Sequence, residues 1–287
     1  MADSYQKKDH WSSTAYSSAA NFVPKLTTTV FSYLDPQPGD NILDIGCGDG
    51  VLTAQIAQAA AASSPTGSTR GGTVLGLDAS QSFIQTANEK YRPRNCRYAL
   101  QDCRRISECS EAVTGQWDKV FSNAALHWIL CDASTRVDVF TDVHRALKQG
   151  GRFVFEMGGK GNVSEVHTAF LAVLAKHGVP LEEARKADPW FFPSVEWMQQ
   201  SLERVGFKVE KCELEYRPTK LTQAKDWGGI EGWARLMGAQ FLEVVPSEQR
   251  DAVVKNVCEV LETIISREED GSKWIGYVRL RAVARKQ

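Results

Sequence analysis

The stretch NILDIGCGDGVLTAQIA, Asn41 to Ala57, decides how the rest of the chain is read. A short apolar run carrying one acid, Asp44, gives way to glycines at 46, 48 and 50, then to a run rich in helix formers. The pattern is that of a buried strand, a turn of bare backbone and an opening helix. In open α/β sheets ligands sit outside the carboxyl ends of the strands. Glycine lets backbone N–H groups approach a ligand there, and a helix N-terminus adds a favourable field. Taken alone, a tight turn that binds nothing has the same pattern. The dinucleotide fingerprint G-x-G-x-x-G is the obvious rival, but Val51 occupies the place of its third glycine. Asp44 is poorly matched to a pyrophosphate and suits a cationic group, an ammonium or a sulfonium. A cationic cofactor without phosphates is the better fit.

Outward from this turn, strand-like and helix-like segments alternate from about residue 41 to 157. TVLGLDAS is a second buried strand, and Ser80 is placed to cap a helix with Phe83, Ile84, Ala87 and Tyr91 inward. CRYALQD and WDKVFSN are the third and fourth strands. A helix with Val137, Phe140, Val143 and Leu147 inward ends at Gly150-Gly151, and RFVFEM is the fifth strand. Such alternation implies parallel βαβ units in a sheet covered on both faces. After Gly158 it weakens. Helical stretches follow, with Trp197, Met198, Leu202 and Val205 inward in one of them, then FKVEKCELEY as a strand. WIGYVRLRAVARK alternates as an edge or antiparallel strand.

The expected fold is a Rossmann-like, doubly wound, mostly parallel seven-stranded sheet with an antiparallel last strand. One domain is expected, its core at about 25–157, 201–216 and 272–287. A helical lid takes 158–200 and 217–271, and an N-terminal flap takes 1–24. A chain of 287 residues buries a sizeable core. The formal net charge of -1 excludes the basic face of a dedicated nucleic-acid binder. No apolar run is long enough to cross a bilayer, and the opening MADSYQKKDHW lacks a signal-peptide core, so neither membrane nor export is expected. Seven cysteines without a CxxC pair or zinc-type spacing point to reduced thiols, a cytoplasmic setting and no metal.

LDIGCGDG, LGLDAS, LQDC and SNAALHW, in this order, resemble the successive motifs of class I S-adenosylmethionine-dependent methyltransferases. The resemblance implies that Asp44, Gly46, Cys47 and Gly48 hold the methionyl part of the cofactor. Asp78, with Ala79, would bond the ribose hydroxyls, and Asp102 and Cys103 would meet the adenine. Asn123 and Ala124 would line the methyl-donor side. Two carboxylate oxygens suit two hydroxyls. Alternatives stay open: Asp78 as a helix cap, Asp102 as a solvated loop acid, and Cys47 as a small residue tolerated between glycines.

NAALHW, the tryptophans of AKDWGGIEGW, the EQRDAVVKNVCEVLE helix and the final YVRLRAVARK are similar, in order, to the trans-aconitate methyltransferase group. That likeness implies methyl-esterification of a small, often dicarboxylic, acid. An ionised carboxylate needs no general base, so positioning should dominate. Trp128, Trp190 and Trp233 are candidates for a water-poor substrate site, or core residues of the lid. Arg235 is the candidate carboxylate clamp, since guanidinium pairs with carboxylates bidentately, or a surface arginine. His127 would orient the acceptor, act as base on a phenol, hydroxyl or amine, or be structural. Trp11 and Tyr16 would cover the site or dock on the core. FEMGGKGN is the run where substrate preference should diverge. A non-catalytic cofactor-binding subunit would lack the cofactor acids, and all of them are present. Homodimer formation stays open.

Overall fold

The computed structural model describes residues 28–61, 71–222 and 228–287. The expected flap with Trp11 and Tyr16 lies outside them, as does Trp227.

β1 (Ile42–Ile45) is buried at all four residues and pairs in parallel with β2 (Val74–Asp78) and β4 (Trp117–Asn123). These three strands are buried on both faces, which is why their sequences read as largely apolar runs. β3 (Cys96–Leu100) extends the sheet beyond β2, and β5 (Leu147–Gly158) beyond β4. β7 (Trp274–Lys286) runs antiparallel between β5 and β6 (Phe207–Lys220). The seven-stranded order is therefore β3-β2-β1-β4-β5-β7-β6. β6 continues past residue 216, where the core was expected to end, because Arg217 to Lys220 still pair with Tyr277 to Trp274.

Alternation along β1 sends Ile42 to one face and Leu43 and Ile45 to the other. α1 (Thr28–Leu34), α2 (Val51–Ala61) and α3 (Gln81–Lys90) cover the first face through Leu34, Ile56 and Ile84. The second face packs on α4 (Leu126–Ile129), α5 (Arg136–Ala146) and α8 (Val195–Arg204) through Leu126, Phe140 and Met198. A third cluster lies among α6 (Ser164–Lys176), α7 (Leu181–Lys186), α9 (Gly229–Met237), α10 (Ala239–Glu243) and α11 (Arg250–Ile265). Ile275 and Tyr277 of β7 join it to the sheet.

Ser80 caps α3 as expected, its side chain accepting from the Phe83 N–H. Two inward assignments need correction. Val137 is 50% exposed, because α5 begins one residue earlier and the row Val139, Phe140, Val143, Ala146 faces the sheet. Leu147 is buried as the first residue of β5, not as the last of the helix.

Candidate active site

The glycine turn is forced by its surroundings. Gly46 and Gly50 adopt φ of +74° and +85°, where a side chain is strained. A Cβ at 46 would stand 2.2 Å from the Ala125 Cβ, and one at 50 would stand 2.8 Å from the Tyr98 hydroxyl. The Gly46 and Cys47 N–H groups donate to the Leu77 carbonyl at the end of β2 (2.8 and 2.9 Å), locking the turn onto its neighbour.

Two carboxylates flank this turn. Asp44 is buried in β1 and accepts from the Thr53 hydroxyl of α2 at 2.6 Å. Burial, opposed by that bond and aided by the charge of Asp78, pushes its pKa up from 3.8 to about 7. A cation beside it would relieve the desolvation that drives the shift. Asp78, ending β2, accepts from the Gly48 N–H and the Ser80 N–H, both at 2.9 Å. A carboxylate has about four acceptor positions, and these two bonds help to fix its plane. Ser80, not Asp78, supplies the cap of α3; Ala79 between them is exposed.

After β3, Asp102 is held by Arg104 through its backbone N–H (3.0 Å) and guanidinium (2.6 to 3.0 Å). Burial opposes ionisation there, but the bonds and charge of Arg104 outweigh it and lower the pKa. Cys103 is buried against the Leu77 carbonyl. Burial, then the charge of Asp78, pushes the thiols of Cys47 and Cys103 far up, so both stay protonated and neither is a nucleophile. All seven cysteines are free. The described residues contain no His/Cys/Asp/Glu group able to hold a metal.

β4 ends at Asn123, whose Oδ1 is buried without a hydrogen-bond partner among the described residues. Ala124 follows at φ +55°, its N–H donating to the Glu156 carbonyl at 2.8 Å. The glycine cradle, the acids of β1 and β2, and this orphan acceptor fit a cation that carries hydroxyls or other hydrogen-bond donors.

Beside Ala124 opens a cavity of about 40 Å³. Its wall brings together Ala124, His127, Trp128, Trp190 and Trp233 of the expected set. Asn162, Val163, Phe192, Met237, Tyr277 and Arg279 complete it among the described residues. The rings pack on one another: Trp190 stacks on Phe192 at 5.8 Å and stands 5.9 Å from both Trp128 and Trp233. The Trp233 indole N–H donates to the Tyr277 hydroxyl at 2.8 Å.

His127 is buried on α4, and its Nδ1 accepts from the Gly158 N–H at 3.4 Å, which assigns the ring proton to Nε2. Burial and the charge of Arg279 lower its pKa to about 3. The imidazole is therefore neutral at physiological pH, a donor through Nε2 and a poor base.

Arg235, the expected clamp, is not part of the cavity wall. Its guanidinium pairs with Glu231 one helical turn back (2.9 Å) and with Asp251 (2.7 Å). Arg279 carries the charge in that wall instead, 3% exposed on β7, with its guanidinium 4.3 Å above the Tyr277 ring. The alternation of Tyr277, Arg279 and Arg281 along YVRLR places these side chains on one face of the strand. Both faces of the strand are buried here, Arg279 and Arg281 on one and Leu280 on the other.

Residues 42–151 match the methyltransferase domain family model. An uncharacterized methyltransferase of Schizosaccharomyces pombe is 35% identical over 280 residues, 98% of this chain and 99% of its own length. A malonyl-[acyl-carrier protein] O-methyltransferase of Paenibacillus is 25% identical, covering 71% of this chain and 67% of its own. The trans-aconitate 2-methyltransferase of Deinococcus radiodurans is 34% identical over 93 residues, 32% of this chain and 30% of its own. Among solved structures, a phosphoethanolamine N-methyltransferase of Haemonchus contortus shares the fold at a TM-score of 0.53. It is 20% identical, covering 95% of this chain and 56% of its own. With the sheet order, the glycine turn and a full-length relative agreeing, this chain belongs to the class I S-adenosylmethionine-dependent methyltransferases.

Proposed function

We propose that the protein methyl-esterifies a small carboxylic acid held in the aromatic cavity. The observation that carries this reading is Arg279: a buried guanidinium in an otherwise neutral wall selects an anion, and aromatic faces suit the body of an organic acid. Two relatives support it through their names, malonyl-[acyl-carrier protein] O-methyltransferase and trans-aconitate 2-methyltransferase, since malonyl groups and trans-aconitate bear carboxylates.

In this reading Asp44, Gly46, Cys47 and Gly48 take the methionyl end of the cofactor. Asp78 and Ala79 take its ribose, Asp102 and Cys103 its adenine, and Asn123 and Ala124 the methyl-donor side. Bound there, S-adenosylmethionine supplies a methyl group on a sulfonium. The acid's own oxygen carries the attacking lone pair, so no proton moves and no base is needed. His127 donates from Nε2 to orient the acceptor, while Arg279 holds the acid and the tryptophans exclude water. A phenol, hydroxyl or amine acceptor would need His127 as its base, and a pKa of about 3 counts against that.

Transfer of labelled methyl groups to a panel of mono- and dicarboxylic acids, phenols and amines tests the proposal. Product label that base treatment releases as methanol is expected, as an ester requires. Base-stable label in a phenol or amine would overturn it.

A further inference from the structure

Behind Arg279 lies a buried cluster that the cavity wall does not itself contain. Glu156, 2% exposed in β5, accepts from Arg281 at 2.6 Å and from Arg217 at 2.8 and 3.4 Å, with Arg279 at 3.8 Å. Arg279 and Arg281 are each 3% exposed, and Arg281 also pairs with Glu215. The strand register sets this up, since Glu156 lies directly across from Arg281 and Gly158 across from Arg279. The same Glu156 holds Ala124 through its main-chain carbonyl, on the other wall of the cavity. A side chain buried so deeply among guanidinium groups governs how strongly, and how deep, the neighbouring cavity attracts an anion.

We propose that Glu156 is a positioning residue that sets the anion affinity of the acceptor cavity. By neutralising charge on Arg217 and Arg281, it keeps a bound carboxylate at Arg279, in line with the methyl donor. Without it the carboxylate is drawn inward. The proposal rests on the acid-acceptor reading above, and it gives that site a specificity device away from the substrate contacts.

The consequence has an unusual sign. Removing a buried negative charge 3.8 Å from the guanidinium that holds the anion strengthens anion binding, by roughly tenfold or more at an effective dielectric constant of about 20. Glu156→Gln should therefore bind carboxylates more tightly yet turn over more slowly, because the tighter pose is displaced. KM for the acid and kcat should both fall. Removing a cation from the same cluster reverses the binding effect, so Arg281→Met should weaken carboxylate binding by a similar factor. Both variants leave the Glu156 carbonyl bond to Ala124 in place.

Carboxylate binding is followed by quenching of Trp128, Trp190 and Trp233 fluorescence with succinate and citrate, with S-adenosylhomocysteine present. Calorimetric affinity for S-adenosylhomocysteine alone reports the cofactor side. Tighter binding in Glu156→Gln, weaker binding in Arg281→Met and cofactor-product affinity within about threefold of wild type are the expected results, the shifts being larger for citrate. Weaker or unchanged carboxylate binding in Glu156→Gln overturns the proposal. If that variant does not fold, Arg281→Met decides alone, and unchanged or tighter binding there overturns it. Failure of the wild-type protein to bind any carboxylate would instead sink the acid-acceptor reading on which the proposal rests.

Discussion

Replacing Asp44 by asparagine is expected to stabilise the cofactor-free protein, and increasingly so as the pH rises. Asp44 is 3% exposed, and burial first of all raises its pKa from 3.8 to about 7. The folded chain thus holds this proton to a higher pH than the unfolded chain does. The group's favourable contribution is fully present below about pH 3.8 and is lost as the pH rises through about 7. At about 1.4 kcal/mol for each pH step, the full loss is ~4 kcal/mol, of which about 2–3 kcal/mol falls between pH 5 and pH 8. Asparagine stays neutral and keeps an oxygen for the Thr53 hydroxyl. Any fixed cost of the substitution therefore cancels when the two pH values are compared. Urea unfolding of Asp44→Asn and wild type, without cofactor, provides the assay. The stability difference in favour of the variant should grow by about 2–3 kcal/mol from pH 5 to pH 8. A difference that is flat or shrinks over that range would refute the burial argument. With S-adenosylmethionine bound, the growth should vanish, because a nearby cation keeps the carboxylate ionised.

Gly46→Ala should destabilise the fold by at least about 2 kcal/mol and weaken S-adenosylhomocysteine binding, since the new Cβ meets Ala125 at 2.2 Å in a left-handed conformation. Urea unfolding and calorimetry check both effects. Arg279→Met should raise KM for the acid roughly 10- to 100-fold with cofactor affinity retained, the usual worth of a charge-assisted pair. Arg235→Ala should leave that KM within about twofold, because its guanidinium is spent on Glu231 and Asp251. At saturating acid and cofactor, kcat should be flat between about pH 6 and pH 9. A rate inflection in the ordinary histidine range would return His127 to the role of base.

The sheet and the glycine turn were legible in the sequence because both rest on local patterns. Four-residue apolar runs, a cap at Ser80 and bare backbone after Asp44 each leave a mark within a few positions. Val137 misled because its spacing fits the inward row, yet in the first turn of the helix it is half exposed. Arg235 and Arg279 show the harder problem. Both stand within a few residues of aromatic side chains, and each is equally able to hold a carboxylate. What separates them is the pairing of β7 against β5 and β6, which places Arg279 and Arg281 in the interior and sets Arg281 opposite Glu156. That is a long-range fact, and alternation alone could not show that the arginine face is dry. The FEMGGKGN run, where substrate preference was expected to diverge, supplies Asn162 to the cavity wall, the Gly158 N–H to His127 and Glu156 to Arg279.

The proposed reaction also suits two buried charged groups, Asp44 beside the glycine turn and Arg279 in the cavity wall. Ester formation consumes the sulfonium charge and one carboxylate charge, so each substrate leaves with less charge than it brought. The ammonium of the methionyl end persists in the product. Once the sulfonium is gone, less positive charge stands near Asp44, and a carboxyl whose pKa burial raises to about 7 takes a proton more readily. Arg279, with Glu156 3.8 Å away, returns to an existing partner and is not left as an isolated buried charge. Groups that bind charge strongly in a dry site ordinarily slow product release. Here the chemistry removes the sulfonium and the reacting carboxylate, so part of the attraction that captures the substrates is absent when the products leave.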